Sequence, residues 1–99
     1  MIKHIVLFKL KSFDNITEKT AKLNEIKEGL LALKDKISVL QAIEVGINCN
    51  SNEEFDIALD TTFKSMNDLD TYAKHPDHLA VGKIIREVLA ARSCVDYEY

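Results

Sequence analysis

The stretch TYAKHPDHLAVGKII, Thr71 to Ile85, concentrates the residues of this chain that could move a proton. It holds two of the three histidines, the only proline, a tyrosine and an aspartate. An imidazole titrates near neutrality and can remove a proton next to a carbonyl, while a phenol can polarise the carbonyl oxygen. A purely structural reading competes with that chemistry. His75 precedes a helix break at Pro76, and Asp77 at a helix N-terminus is favoured by the macrodipole. Capping accounts for Pro76 and Asp77 but leaves His78 over. His78 lies three, seven and ten residues before Val81, Ile85 and Val88, on the helix face that packs inward. A histidine there needs a hydrogen-bond partner, or a cavity with a ligand in it.

The N-terminal segment offers a matching oddity. His4 alternates in step with Val6, Phe8 and Leu10, so if that face meets the helices, His4 and His78 point into one space. Tyr72 lies six residues before His78, across the break, and can reach the same space. His4, Tyr72 and His78 are therefore the candidate site, and satisfied polar groups of the core are the competing reading.

Other chemistries find less support. His75 and His78 are three apart, but His75 stands outside the helix, and no cysteine or carboxylate completes a zinc spacing. No G-x-S-x-G occurs, and Cys94 in a terminal strand reads as a small hydrophobe. No motif calls for a cofactor or a metal. The formal charge is −3 with scattered lysines, which argues against nucleic acid or an anionic membrane as partner. Local charge can differ from net charge, so an acidic substrate stays open. No apolar stretch approaches the roughly 20 residues of a membrane span, and no signal peptide is recognisable. Cys49 and Cys94 form no C-x-x-C, so two reduced thiols in the cytoplasm are expected.

The elements that must position these residues follow from periodicity. Ninety-nine residues, 46% of them hydrophobic, suffice for one core, so residues 1–99 are read as a single domain. Ile2 to Lys11 alternates as a strand with apolar residues on both faces, since Ile5 and Leu7 lie opposite Val6 and Phe8. Asp14 and Asn15 offer caps to a helix whose stripe is Leu23, Ile26, Leu30, Leu33 and Ile37. Val39 to Asn48 and Phe55 to Phe63 read as strands two and three. Ser65 and Asp68 form an S-x-x-D cap for a helix to about Lys74. Pro76 ends it and restarts a helix to about Ala91, and SCVDYEY closes as a fourth strand. The order β-α-β-β-α-β predicts a ferredoxin-like α+β sandwich, one antiparallel four-stranded sheet with both helices on one face. The other face would be bare and apolar, which predicts a homodimer whose sheets pack into an α/β barrel.

At this point the residues resemble a known family. IKHIVLFKLK, the block F-x-S-x-x-D-L-x-x-Y-x-x-H-P-x-H over Phe63 to His78, and VDYE near the end are similar to the stress-responsive A/B barrel (Dabb) family. The resemblance covers the whole chain and is most specific in Y-x-x-H-P-x-H. It implies a ferredoxin-like fold and a tight homodimer. Plant polyketide cyclases of the family, similar to olivetolic acid cyclase, close a linear polyketide by intramolecular aldol condensation. Their acid/base pair falls here on Tyr72 and His78, and their strand histidine on His4. Where they carry another cavity histidine in the third strand, this chain has Ile57.

The expectation is a homodimeric Dabb protein with a small apolar pocket that binds or cyclises a small carbonyl compound. Tyr72 and His78 would be its catalytic residues, with His4, Ile57, Leu59 and His75 lining the pocket. A non-catalytic stress-response or assembly protein is the alternative. A dimeric ferredoxin-like monooxygenase ranks third, because haem enzymes of that type commonly use tryptophan and this chain has none.

Overall fold

A computed structural model describes residues Met1 to Tyr99. The element order is β1 (Ile2–Leu10), α1 (Ile16–Lys36), β2 (Ala42–Ile47), β3 (Ile57–Phe63), α2 (Met66–Lys74), α3 (Pro76–Val88) and β4 (Leu89–Glu98). This is the ferredoxin-like arrangement expected, with the second helix divided in two. The strands form one antiparallel sheet in the order β2-β3-β1-β4.

Local chemistry sets the boundaries. Asn15 caps α1, its side chain accepting from the Glu18 N–H at 2.8 Å, and Ser65 accepts from Asp68 N–H at 3.1 Å to open α2. His75 is extended, at φ −64° and ψ 136°, because Pro76 bars it from the α region, and Pro76 then serves as the first residue of α3. Three boundaries differ from the sequence expectation. Helix α3 stops at Val88, and β4 starts at Leu89 rather than Ser93, because Leu89 to Ala91 pair with Leu10 and Lys9 across a bulge. The tertiary ladder there overrides the helical preference of alanine. Strand β2 begins at Ala42, after a turn, and Phe55 precedes β3.

One face of the sheet carries the core. Val6 and Phe8 from β1 and Ile57, Leu59 and Phe63 from β3 pack under Leu23, Ile26, Leu30 and Leu33 of α1, Leu69 and Tyr72 of α2, and Ile85 of α3. The other face carries Ile5, Leu7, Ala58, Val95 and Tyr97, with a Lys3–Asp60 ion pair of 3.0 Å beside them. Val95 and Tyr97 are exposed, and no helix covers them. No helix is long and apolar enough to cross a membrane.

Candidate functional site

The site lies where β1 and β4 run under the α2–α3 break. A cavity of about 220 Å³ opens there, and its apolar wall includes Val6, Phe8, Leu30, Leu59 and Ile85. His4, His78, Arg86 and Arg92 supply its polar wall. An adjoining cleft shares His4, His78 and Arg92 and adds Tyr72, Leu69 and Asp96. His4, Tyr72 and His78 are thus brought together by elements from both ends of the chain.

Tyr72 sits in the last turn of α2, 1% exposed, its ring packed on Phe63 at 5.0 Å and on His78 at 4.5 Å between centroids. Its hydroxyl is buried and has no hydrogen-bond partner in the protein. Such a group lacks about 1–3 kcal/mol of compensation unless something else bonds to it. Burial pushes the phenol up to about 12, so it stays protonated throughout the physiological range.

His78 occupies the first turn of α3. Its Nδ1 donates to the Ala73 carbonyl at 3.0 Å, which leaves the Nε2 lone pair of the neutral imidazole free to accept a proton. Burial lowers its pKa, the Ala73 bond opposes that, and the charges of His4, Arg86 and Arg92 lower it further. At neutral pH His78 is therefore held in the form a general base requires.

His4 is half-buried on β1, and its Nδ1 is hydrogen-bonded to the Asp96 carboxylate directly across the β1–β4 ladder. A carboxylate on Nδ1 fixes the ring's orientation and tautomer. Cys94 Sγ stands 3.5 Å from the same nitrogen and 3.6 Å from Asp96. Cys94 is exposed rather than packed as a hydrophobe, because nothing covers that edge of β4. His4, Cys94 and Asp96 place three possible metal donors within 4.8 Å of one another. The His4–Asp96 bond already satisfies two of the three.

Two expected lining residues stand elsewhere. His75 is a cap: its Nδ1 accepts from Asp77 N–H at 3.1 Å, and its backbone N–H donates to the Tyr72 carbonyl at 3.1 Å. Ile57 lies in the core, opposite Phe8 and Ile47, outside both openings. Leu59 does line the cavity. The residues missed were Asp96, Arg86, Arg92 and Gly82. For Asp96 a signal was present, since antiparallel pairing of the two terminal strands sets VDYE against IKHI.

Fold and site together define a ferredoxin-like α+β protein with a polar-walled cavity between sheet and helices. The profile of the stress responsive A/B barrel domain matches residues 2–99, and the chain belongs to that family. It is 34% identical over 83 residues to a stress-response A/B barrel domain-containing protein of Arabidopsis thaliana, covering 84% of this chain and 30% of that protein. To a second protein of that description from the same plant it is 29% identical over 100 residues, covering 98% of this chain and 46% of that protein. The chain therefore spans less than half the length of these curated relatives. Among solved structures, a dimeric protein of unknown function and ferredoxin-like fold from Bacteroides fragilis is 48% identical, with a TM-score of 0.93 over 99% of this chain and 95% of that one. The hydroxynitrile lyase of Passiflora edulis, 18% identical, shares the fold at a TM-score of 0.80 over 97% of this chain and 90% of that one.

Proposed function

We propose that this protein binds a small apolar carbonyl compound between sheet and helices and catalyses proton transfer on it. The observation that carries this reading is the buried, unpartnered Tyr72 hydroxyl beside a neutral His78 with Nε2 free. Buried hydroxyls are nearly always bonded, and a carbonyl or enolate oxygen would supply the missing acceptor. In the proposed step His78 Nε2 takes a proton from the carbon next to the carbonyl, and the electron pair moves onto the oxygen, where Tyr72 stabilises it. The enolate carbon attacks a second carbonyl of the same molecule and forms the new C–C bond. The resulting alkoxide recovers the proton from the imidazolium, so both residues end as they began. His4, oriented by Asp96, lines and positions.

The protein works in this proposal as a homodimer in the cytoplasm. Ile5, Leu7, Val95 and Tyr97 leave an apolar sheet face open, and the Bacteroides relative is dimeric. Both cysteines are free, as a reducing compartment would keep them. Leu7→Asp should convert a dimer into a monomer or unfold the chain, and light scattering showing a monomer for the unaltered protein would defeat the dimer.

The chemical test is turnover of short poly-β-keto thioesters. Tyr72→Phe and His78→Ala should each slow it about 10²–10⁴-fold, and the double variant little more, because the pair acts as a unit. No turnover above buffer would leave the alternative, a non-catalytic assembly protein in which Tyr72 only packs on Phe63.

A further inference from the structure

The cavity's cationic wall is not explained by proton transfer. Of the 13 basic residues only two are arginines, Arg86 and Arg92, and both line this one cavity, the first from α3 and the second from β4. Neither forms an ion pair, whereas five of the eleven lysines have carboxylate partners and the six that do not stand outside this cavity. Arg86 is folded back over its own helix: a Cβ built on Gly82 would stand 3.1 Å from Arg86 Nη1, so glycine makes room for the guanidinium at the cavity wall. No carboxylate lines the cavity. In the adjoining cleft Asp96 is engaged by His4, and Asp70 by Lys74 at 2.9 Å. Two uncompensated guanidiniums thus rim an apolar floor in a chain of net charge −3. Guanidinium groups present paired donors in the geometry a carboxylate accepts, and water is displaced most easily where the wall beside them is apolar.

We propose that the cavity takes a small carbonyl compound bearing a carboxylate, with its chain against Val6, Phe8, Leu59 and Ile85 and its anionic end at the Arg86–Arg92 rim. This rests on the reading of the site as a carbonyl pocket and adds its substrate class. The floor residues are buried and the two arginines exposed, so a ligand held this way enters chain first and presents its carbonyl to His4 and His78, which stand on the wall with the arginines. At about 220 Å³ the cavity is below the roughly 300–1,000 Å³ of drug-sized pockets, which suits a short acid and not an extended one. Both cations also act on His78 and favour its neutral form, so the base is ready when the anion arrives.

The test is an NMR titration of the full chain with 5-oxohexanoate and with 2-hexanone, which matches its carbon chain but lacks the charge, following the His78 imidazole signals. Wild type should bind the acid roughly tenfold or more tightly than the ketone, a preference that added salt diminishes. In Arg86→Gln/Arg92→Gln the ratio of acid to ketone affinity should fall to about one, and Gly82→Ala, which displaces Arg86, should reduce it partway. Equal binding of both compounds by wild type, or an acid preference that survives the double substitution, overturns this inference and leaves the carbonyl site standing. If neither compound moves the His78 signals, both readings fall.

Discussion

The two ends of the sandwich are built differently. Under α1 the core is closed: Ile26, Leu33, Ile37 and Leu40 are at most 2% exposed and wholly aliphatic, and only Leu30 reaches the cavity. Under α2 and α3 the same sheet meets two histidines, a tyrosine and two arginines, and every residue of β4 beyond Leu89 is exposed. The difference begins in backbone chemistry. Helix α1 runs 21 residues without interruption and lays one continuous stripe on the sheet, whereas Pro76 divides its counterpart into pieces of 9 and 13 residues. The backbone is extended at His75, between the two pieces. The cavity runs along α3, and the adjoining cleft lies at the break itself, between the last turns of α2 and the first turn of α3.

Substitutions at the two ends should separate closed core from open site. The largest effect on stability is expected at the closed end, where Leu33→Ala should cost about 2–5 kcal/mol, measured as loss of denaturation midpoint in urea. At the open end Tyr72→Phe removes a hydroxyl with no partner to lose, so stability should stay within about 1 kcal/mol of wild type or rise. A loss comparable to Leu33→Ala would mean that Tyr72 belongs to the core after all.

His78 sharpens the same contrast through pH. Its pKa is lowered in the folded chain, chiefly by burial, so the unfolded chain binds the proton more readily. Stability should therefore be fully present above the unfolded value of about 6.5 and decline as pH falls from there toward the folded pKa. In His78→Gln that part of the decline should disappear, which chemical denaturation at a series of pH values can read. Turnover should rise with pH through the same lowered pKa and then stay level past neutrality, because Tyr72 is pushed up to about 12. A rate that rises only above about pH 9, well past any histidine value, would point to a different base.

The smallest effect is expected where the two ends meet. A Cβ at Gly29 of α1 would lie 3.6 Å from the Val81 methyls of α3, an ordinary contact, and the position is inside a helix. Gly29→Ala should raise stability by about 0.5–1 kcal/mol through helix propensity alone. Destabilisation seen by thermal unfolding would show that α3 is pressed more tightly onto α1 than the open cavity beside it implies.

Much of the fold was legible because its signals are local. The 3.6-residue stripe of α1, the period-two alternation of β1 and β3, the Asn15 and Ser65 caps and the Pro76 break each depend on neighbours within a few residues. The same logic placed His78 on the inward face and His4 on the helix-facing side of β1. Where it failed, a longer-range force had intervened: Leu89 to Ala91 look helical but are drawn into the ladder with β1, and Ile57, aligned with a cavity histidine of related cyclases, lies in the core beyond the cavity.

By itself the sequence determined which segments are helix and strand, which faces are apolar, and that histidine and tyrosine sit at a helix break. The tertiary structure alone decided the strand order β2-β3-β1-β4, and with it the pairing of residues some ninety positions apart. That pairing sets Asp96 opposite His4 and Arg92 opposite Phe8, and so determines which groups orient the histidine and which rim the cavity. It also decided that the Tyr72 hydroxyl is buried without a partner while His75 is fully used as a cap. The physical reason is that periodicity and capping are properties of a few consecutive residues. A cavity, a cross-strand partner and an unmet hydrogen bond exist only between segments, once the ladder has fixed their register.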